Sequence, residues 1–159
     1  MLADQNLTRW CGAMRSAHVA AEAGDIADAV HLYHLASHEA EQLLLHRCED
    51  LPAAQMFATS WQALADCYRR LEREDLAFWA VRQAHKRLLE VVEDGCLPAE
   101  FRQDCLKELN HSLLPLLAML KTTPEGAVEA QRLINQTRAL GARVLALVPS
   151  RQRSQRVAH

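Results

Sequence analysis

Two segments of the chain repeat one pattern of small and large residues at helical spacing, and this repetition constrains the fold more than any other feature. The first segment contains Gly24, Asp25, Ala29, Tyr33 and Ala36, and the second contains Trp61, Leu64, Ala65, Tyr68, Ala77, Val81 and Ala84. The alanines recur where two antiparallel helices must approach closely, and the aromatic or aliphatic residues recur where the helices interlock. This pattern is typical of stacked helical hairpins.

The rest of the chain also predicts helices and no strands. Good helix formers are abundant, no segment alternates with a period of two, and most of the five glycines and five prolines separate long periodic stretches. We therefore predict an all-α fold of about six antiparallel helices, arranged as three stacked hairpins in one domain over residues 1–149. A chain of 159 residues, half of them apolar, can bury a continuous core of this kind.

The predicted helix boundaries follow the glycines and prolines. The first three helices are predicted over about 3–23, 26–48 and 52–71, and the fourth follows Glu74 and ends at Asp94. Pro115 is predicted to kink or break the fifth helix, because proline has no backbone N–H to donate. A loop over 122–126 is predicted to precede the sixth helix.

Charge and cysteine content bear on location and partners. The formal charge of −2 gives no overall attraction to nucleic acid. Residues 150–159 contain Arg151, Arg153 and Arg156 but no acid, and we expect them to form a flexible tail. Five cysteines without a Cys-x2-Cys pair favour reduced thiols. No secretory pattern and no stretch of roughly 18 apolar residues occurs, so we expect a cytoplasmic protein without a membrane partner.

The second segment resembles the tetratricopeptide repeat family. The consensus of that family is Trp-x2-Leu-Gly-x2-Tyr in the first helix of a repeat and Ala-x3-Phe-x2-Ala in the second. Here Ala65 stands at the glycine position, Val81 stands at the phenylalanine position, and the remaining consensus positions are matched by Trp61, Leu64, Tyr68, Ala77 and Ala84. The first segment is similar in its turn and second helix. A third repeat can be drawn through Leu114, Leu117, Ala118, Ala130, Ile134 and Thr137, with Lys121 in place of the tyrosine.

The period of the repetition departs from the family. Ala29 and Ala77 occupy equivalent positions 48 residues apart, whereas tetratricopeptide repeats recur about every 34 residues. The difference is close to four helical turns, which lengthens the second and third helices by about two turns each. We therefore expect a tetratricopeptide-like bundle or short solenoid of three long hairpins.

The resemblance implies a groove lined by the first helix of each hairpin, in which a peptide or helix of a partner protein binds. Carried onto this chain, the groove residues are Met14, Arg15, His18, Glu22, Thr59, Gln62, Asp66, Arg69 and Arg70. The family's clamp of lysines and asparagines is absent from these positions. Arg69 and Arg70 suit a carboxylate ligand; the alternative is a solvated face paired with Glu72 and Glu74.

Two kinds of site chemistry compete with this interpretation. His34, His38 and Glu41 lie on one helical stripe and could ligate a metal, although one helix seldom closes a tetrahedral site; exposed histidines are the alternative. Cys67 and Cys105 are interpreted as small buried hydrophobes and not as nucleophiles. Because the chain also has no phosphate loop, nucleophile elbow or His-Glu-x2-His motif, we predict no enzymatic activity and no cofactor.

The function predicted from the sequence is that of a non-enzymatic interaction module, adaptor or chaperone-like protein. Its partner is another protein or peptide, with a homodimer through an apolar end as a further expectation. Trp10 and Trp79 lie outside the consensus and are either partner anchors or additional core. The alternatives are a regulatory, nucleic-acid-associated factor that uses its basic tail and a metal-binding helical bundle.

Overall fold

The computed structural model of the chain describes residues 2–46 and 50–147, and within them it contains six α-helices and no strand. The helices are α1 (Leu2–Glu22), α2 (Ile26–Leu45), α3 (Ala53–Arg70), α4 (Glu74–Glu93), α5 (Ala99–Leu120) and α6 (Pro124–Ala146). This confirms the all-α prediction. The chain forms two compact units, unit 1 up to Ala84 and unit 2 from His85 onward, so the boundary falls within α4. Two compact units can belong to one domain or to two, and the single domain over 1–149 stays a prediction.

Two of the predicted boundaries are wrong, and both lie in unit 2. Helix α5 continues through Pro115, so the break considered there does not occur. Helix α6 begins at Pro124, inside the predicted loop, because the Thr123 hydroxyl accepts a hydrogen bond from the Gly126 N–H at 3.1 Å and proline suits the first turn. Gly126 is required at this turn, since a Cβ there would overlap the carbonyl oxygen of Leu120.

The core of unit 1 is built around alanines that allow helices to approach closely. α2 packs against both α1 and α3, and several of the alanines are completely buried, among them Ala17, Ala29, Ala36, Ala40, Ala65 and Ala77. Larger side chains fill the space between them, including Leu43, Leu44, Phe57 and Leu64. The alanines of the two repeated segments are therefore in the core, as their spacing predicts. Leu71, the C-cap residue of α3, is exposed.

The turns after α1 and α3 contain the same backbone hydrogen bonds, 48 residues apart. After α1, the N–H groups of Gly24 and Asp25 donate to the carbonyls of Ala21 and Ala20 at 3.2 and 3.0 Å. After α3, Glu72 and Arg73 donate in the same way to Arg69 and Tyr68, both at 2.9 Å. Both turns are Schellman motifs, which end a helix with one residue in the left-handed region. That residue is Gly24 (φ 84°) in the first turn and Glu72 (φ 59°) in the second.

We expect Glu72→Gly to stabilise the protein by about 1 kcal/mol and Gly24→Ala to destabilise it by a similar amount. A left-handed backbone costs a residue with a Cβ roughly 1–2 kcal/mol, part of which is offset by the greater unfolded-state entropy of glycine. Urea unfolding of both variants measures the two changes. The shared geometry of the turns would be contradicted if Glu72→Gly lowered the free energy of unfolding.

The core of unit 2 combines α5, α6 and the end of α4 around leucines and valines, with one buried histidine. α5 packs against α6, and the most deeply buried side chains include Leu88, Val92, Cys105, Leu109, Leu116, Leu140 and Val144. The His85 side chain is only 3% exposed, and this burial lowers the pKa of its imidazole to about 4. Burial of this kind favours the neutral ring.

Stability should therefore fall below neutral pH because of His85. In the unfolded chain its pKa is near 6.5, so above this pH both states are neutral and the full stability is present. As the pH falls from 6.5 to 4, the unfolded state takes up a proton that the folded state does not, which amounts to a loss of about 3 kcal/mol.

The difference in the free energy of unfolding between pH 7 and pH 4.5 should accordingly be smaller in His85→Ser than in the wild-type protein. His18→Ser serves as a control, because His18 is exposed. Equal pH dependence in the wild-type protein and the His85 variant would show that this imidazole does not control acid stability.

Candidate functional site

Helices α1 and α3 run in the same direction and are tied together at two levels by side-chain hydrogen bonds. Near the middle of both helices, the Trp10 Nε1–H donates to the Ser60 hydroxyl at 2.8 Å. Near their ends, the Arg70 guanidinium donates to the carbonyl oxygen of Ala21 at 3.2 Å. The two pairs are separated by 50 and 49 residues along the chain, and this constant offset defines a parallel arrangement. We call the line of contact the α1–α3 seam.

The seam is also tied to α2 on one side. The Arg9 guanidinium lies 4.0 Å from the Glu39 carboxylate, joining α1 to α2. His34 Nε2 lies 2.8 Å from the Tyr68 hydroxyl, joining α2 to α3. These pairs mark the sides of α1 and α3 that face α2.

Most residues predicted to line a groove project to the opposite side of α1 and α3. A helix turns about 100° per residue, and steps of three and four residues keep side chains on one face. We call this surface the α1–α3 face; its members are Arg15, His18, Glu22, Thr59, Gln62, Asp66 and Arg69, all exposed except the half-buried Arg69. The other two predicted residues differ, because Met14 and Arg70 contact the seam itself.

The polar groups of the α1–α3 face are engaged with one another. Gln62 and Arg69 both donate to Oδ1 of Asp66, at 3.0 and 2.7 Å. On α1, His18 Nε2 lies 3.2 Å from the Glu22 carboxylate. Exposed pairs of this kind contribute little to stability. Exchanging them for the polar groups of a partner would therefore cost little.

Arg69 and Arg70 have different hydrogen-bond partners. The sequence predicted either a paired carboxylate site or ion pairs with Glu72 and Glu74. Arg69 pairs with Asp66 on its own helix, whereas Arg70 reaches across to the last turn of α1. A cation at the C-terminal end of a helix interacts favourably with the unsatisfied carbonyls there. Arg70 thus helps to position α1 against α3.

Four aromatic rings and a histidine form a continuous cluster in unit 1. Trp61 contacts Phe57 at 6.2 Å and Trp79 at 5.6 Å between ring centroids, and His34 contacts Trp79 at 6.1 Å and Tyr68 at 6.2 Å. Trp79 is 40% exposed, so it belongs to this packing while keeping an edge in solvent. Burial lowers the pKa of His34, and the nearby His31 adds to the effect.

The structure does not assemble the alternative metal site. Within residues 2–46 and 50–147, no three His, Cys, Asp or Glu side chains come together as metal ligands. His34, one of the three predicted ligands, is instead hydrogen-bonded to Tyr68. His111 and Glu108 on α5 form only a pair, at 3.5 Å.

The two core cysteines behave as small hydrophobic residues. Cys67 and Cys105 are buried, and burial raises the pKa of both thiols, to about 12 for Cys105. Both are therefore protonated at neutral pH, which does not favour nucleophilic attack. Cys48 and the arginine-containing tail of residues 150–159 lie outside the described residues.

Sequence reasoning missed the two ties of the α1–α3 seam. Ser60 was the one indication of such a tie in the sequence. It is a polar residue on the buried side of α3, between the apolar positions Phe57 and Leu64. Its partner Trp10 lies 50 residues away, so no local pattern could identify the contact.

Fold and site together define the class of this protein: it is an all-α protein of helical hairpins with an exposed polar face on two parallel helices. The family model described as "Protein of unknown function (DUF2753)" matches residues 8–146, and the chain therefore belongs to that family. No curated protein and no solved structure matches the chain. Among the six described helices, none has the length and apolar character needed to cross a membrane.

Ser60→Ala should destabilise the protein by about 1–2 kcal/mol. The substitution removes the acceptor of the part-buried Trp10 N–H, and a buried donor without a partner costs approximately this much. Chemical unfolding followed by tryptophan fluorescence measures the change. Ser16→Ala, at an exposed position of α1, is the matched control and should change stability by less than about 0.5 kcal/mol. Equal effects of the two variants would contradict a stabilising role for the tie.

Proposed function

We propose that the chain is a non-enzymatic interaction module of the tetratricopeptide-like kind, which binds an extended or helical segment of a partner protein on the α1–α3 face. The observation that carries this proposal is the seam itself. Trp10 with Ser60, near the middle, and Arg70 with Ala21, near the C-terminal ends, hold two parallel helices in register. On this proposal, the polar residues that α1 and α3 contribute to the α1–α3 face act together as one binding surface.

The repeated hairpin supports the same function. The Schellman turns after α1 and α3 have matching hydrogen bonds, and the alanines at equivalent positions, such as Ala29 and Ala77, are fully buried. Stacked hairpins of this kind create extended surfaces that suit linear segments of other proteins. An adaptor or chaperone-like role in the cytoplasm is the setting we propose, with another protein, or a second copy of the chain, as partner.

The charges on the α1–α3 face suggest what the partner segment looks like. Arg15 and Arg69 offer guanidinium groups, whereas Glu22 and Asp66 offer carboxylates. A complementary segment would carry both acidic and basic residues, with no strong net charge. Electrostatic complementarity of this kind contributes to specificity and to the association rate more than to affinity.

Photo-crosslinking in the native host tests the proposal. A photoreactive residue placed at Gln62 should crosslink a defined partner, whereas the same residue at Gln131 on α6 should not. The two positions are matched, because each glutamine is exposed and donates at 3.0 Å to the residue four positions later, Asp66 or Asn135.

Two triple variants distinguish a loss of binding at the α1–α3 face from a loss of folding. Replacing Gln62, Asp66 and Arg69 together with alanine should reduce co-purification of the partner identified by crosslinking at least about tenfold, the equivalent of 1.4 kcal/mol. The matched triple replacement of Gln131, Arg132 and Asn135 should leave recovery unchanged. The proposed binding face is wrong if the partner is recovered equally with both triple variants and the unfolding midpoints of the two are the same.

A further inference from the structure

His85 contains a buried hydrogen-bonding atom that the proposed function does not use. The residue lies in the part of α4 that belongs to unit 2, and its side chain is 3% exposed. Its Nδ1 lies 3.2 Å from the Ser112 hydroxyl on α5. Its Nε2 is buried without a hydrogen-bond partner among the protein atoms that the structure describes.

The contacts of Ser112 determine which ring nitrogen of His85 carries the proton. The Ser112 hydroxyl lies 2.9 Å from the carbonyl oxygen of Leu109, and a carbonyl oxygen can only accept, so the single hydroxyl hydrogen points there. Ser112 must then accept from His85, and the hydrogen of the neutral ring is on Nδ1. Nε2 is left with a bare lone pair, which requires a donor.

The repeat shows that this unpartnered acceptor is particular to the second hairpin. The residue 48 positions before His85 is Ser37, which is buried to the same extent, 3%. The Ser37 hydroxyl donates to the carbonyl oxygen of Tyr33 at 2.8 Å, so that position is satisfied by its own helix. Both hairpins place a polar side chain at this position of the core. The Ser37 hydroxyl bonds to the backbone of its own helix, whereas His85 holds the acceptor Nε2 away from the backbone of α4.

We infer that Nε2 of His85 accepts a hydrogen bond from an internal water molecule bound in the core of unit 2. Leaving a buried acceptor unpaired is costly, and internal waters typically serve such groups. A neutral donor such as water suits this nitrogen, because burial lowers the pKa of the imidazole to about 4 and so keeps the ring neutral at pH 7. A cation is disfavoured as well, because no three metal-binding side chains converge in the described part of unit 2. Thr137 on α6 has a second buried and unpartnered oxygen in the same unit.

Nuclear magnetic resonance of the isotope-labelled full chain tests this inference at neutral pH. We expect the His85 ring to be the Nδ1–H tautomer, and we expect a cross-relaxation signal between a long-lived water and the ring hydrogen next to Nε2. An Nε2–H tautomer, or a tautomer as inferred but without the water signal, would overturn the inference.

A pair of variants tests independently whether the internal water is present. His85→Ser introduces the residue of the first hairpin, which is expected to bond to its own helix, and should lower by one the number of long-lived waters measured by magnetic relaxation dispersion. Ser37→Ala is the control and should leave the number unchanged. Circular dichroism verifies that both variants fold. If His85→Ser does not fold, the resonance experiment on the wild-type protein still tests the inference. An unchanged count in a folded His85→Ser would contradict the inference.

Discussion

The close approach of helices at fully buried alanines is the constraint on which the rest of unit 1 depends. Ala29, Ala36 and Ala40 on α2 are completely buried, as are Ala17 on α1 and Ala65 on α3. Any larger side chain at these positions would have to displace a neighbouring helix, and such overpacking costs about 1–3 kcal/mol. The α1–α3 seam is instead bridged by long side chains, since Trp10 reaches the Ser60 hydroxyl and Arg70 reaches the carbonyl oxygen of Ala21.

The surface proposed to bind a partner is a consequence of this packing. The buried sides of α1 and α3 are used against α2 and against each other, through Trp10, Ser60 and Arg70. The remaining side of each helix is left to solvent, and its polar residues engage mainly one another. An interaction surface built in this way has a rigid support and weak internal pairs. Those two properties favour binding with a small loss of conformational entropy.

Two of the differences between the hairpins fall where the same backbone accepts a different side chain. The left-handed turn residue is Gly24 in one hairpin and Glu72 in the other, with equivalent hydrogen bonds around both. The buried polar residue is Ser37 in one and His85 in the other. The backbone geometry is retained because its hydrogen bonds are made by main-chain groups, which every residue except proline supplies in full.

The sequence by itself determined the six helices, the alanine contacts and the positions of the two matching turns. These features follow from local rules: the helical period, the small residues that permit close approach and the residues that end a helix. It did not determine that α5 continues through Pro115 or that α6 begins at Pro124, because each depends on a balance of small local energies. Nor did it separate the two roles of Arg69 and Arg70. Only the tertiary structure decided those roles, the Trp10–Ser60 tie and the unpartnered nitrogen of His85, because each depends on which residues from distant parts of the chain come within hydrogen-bonding distance.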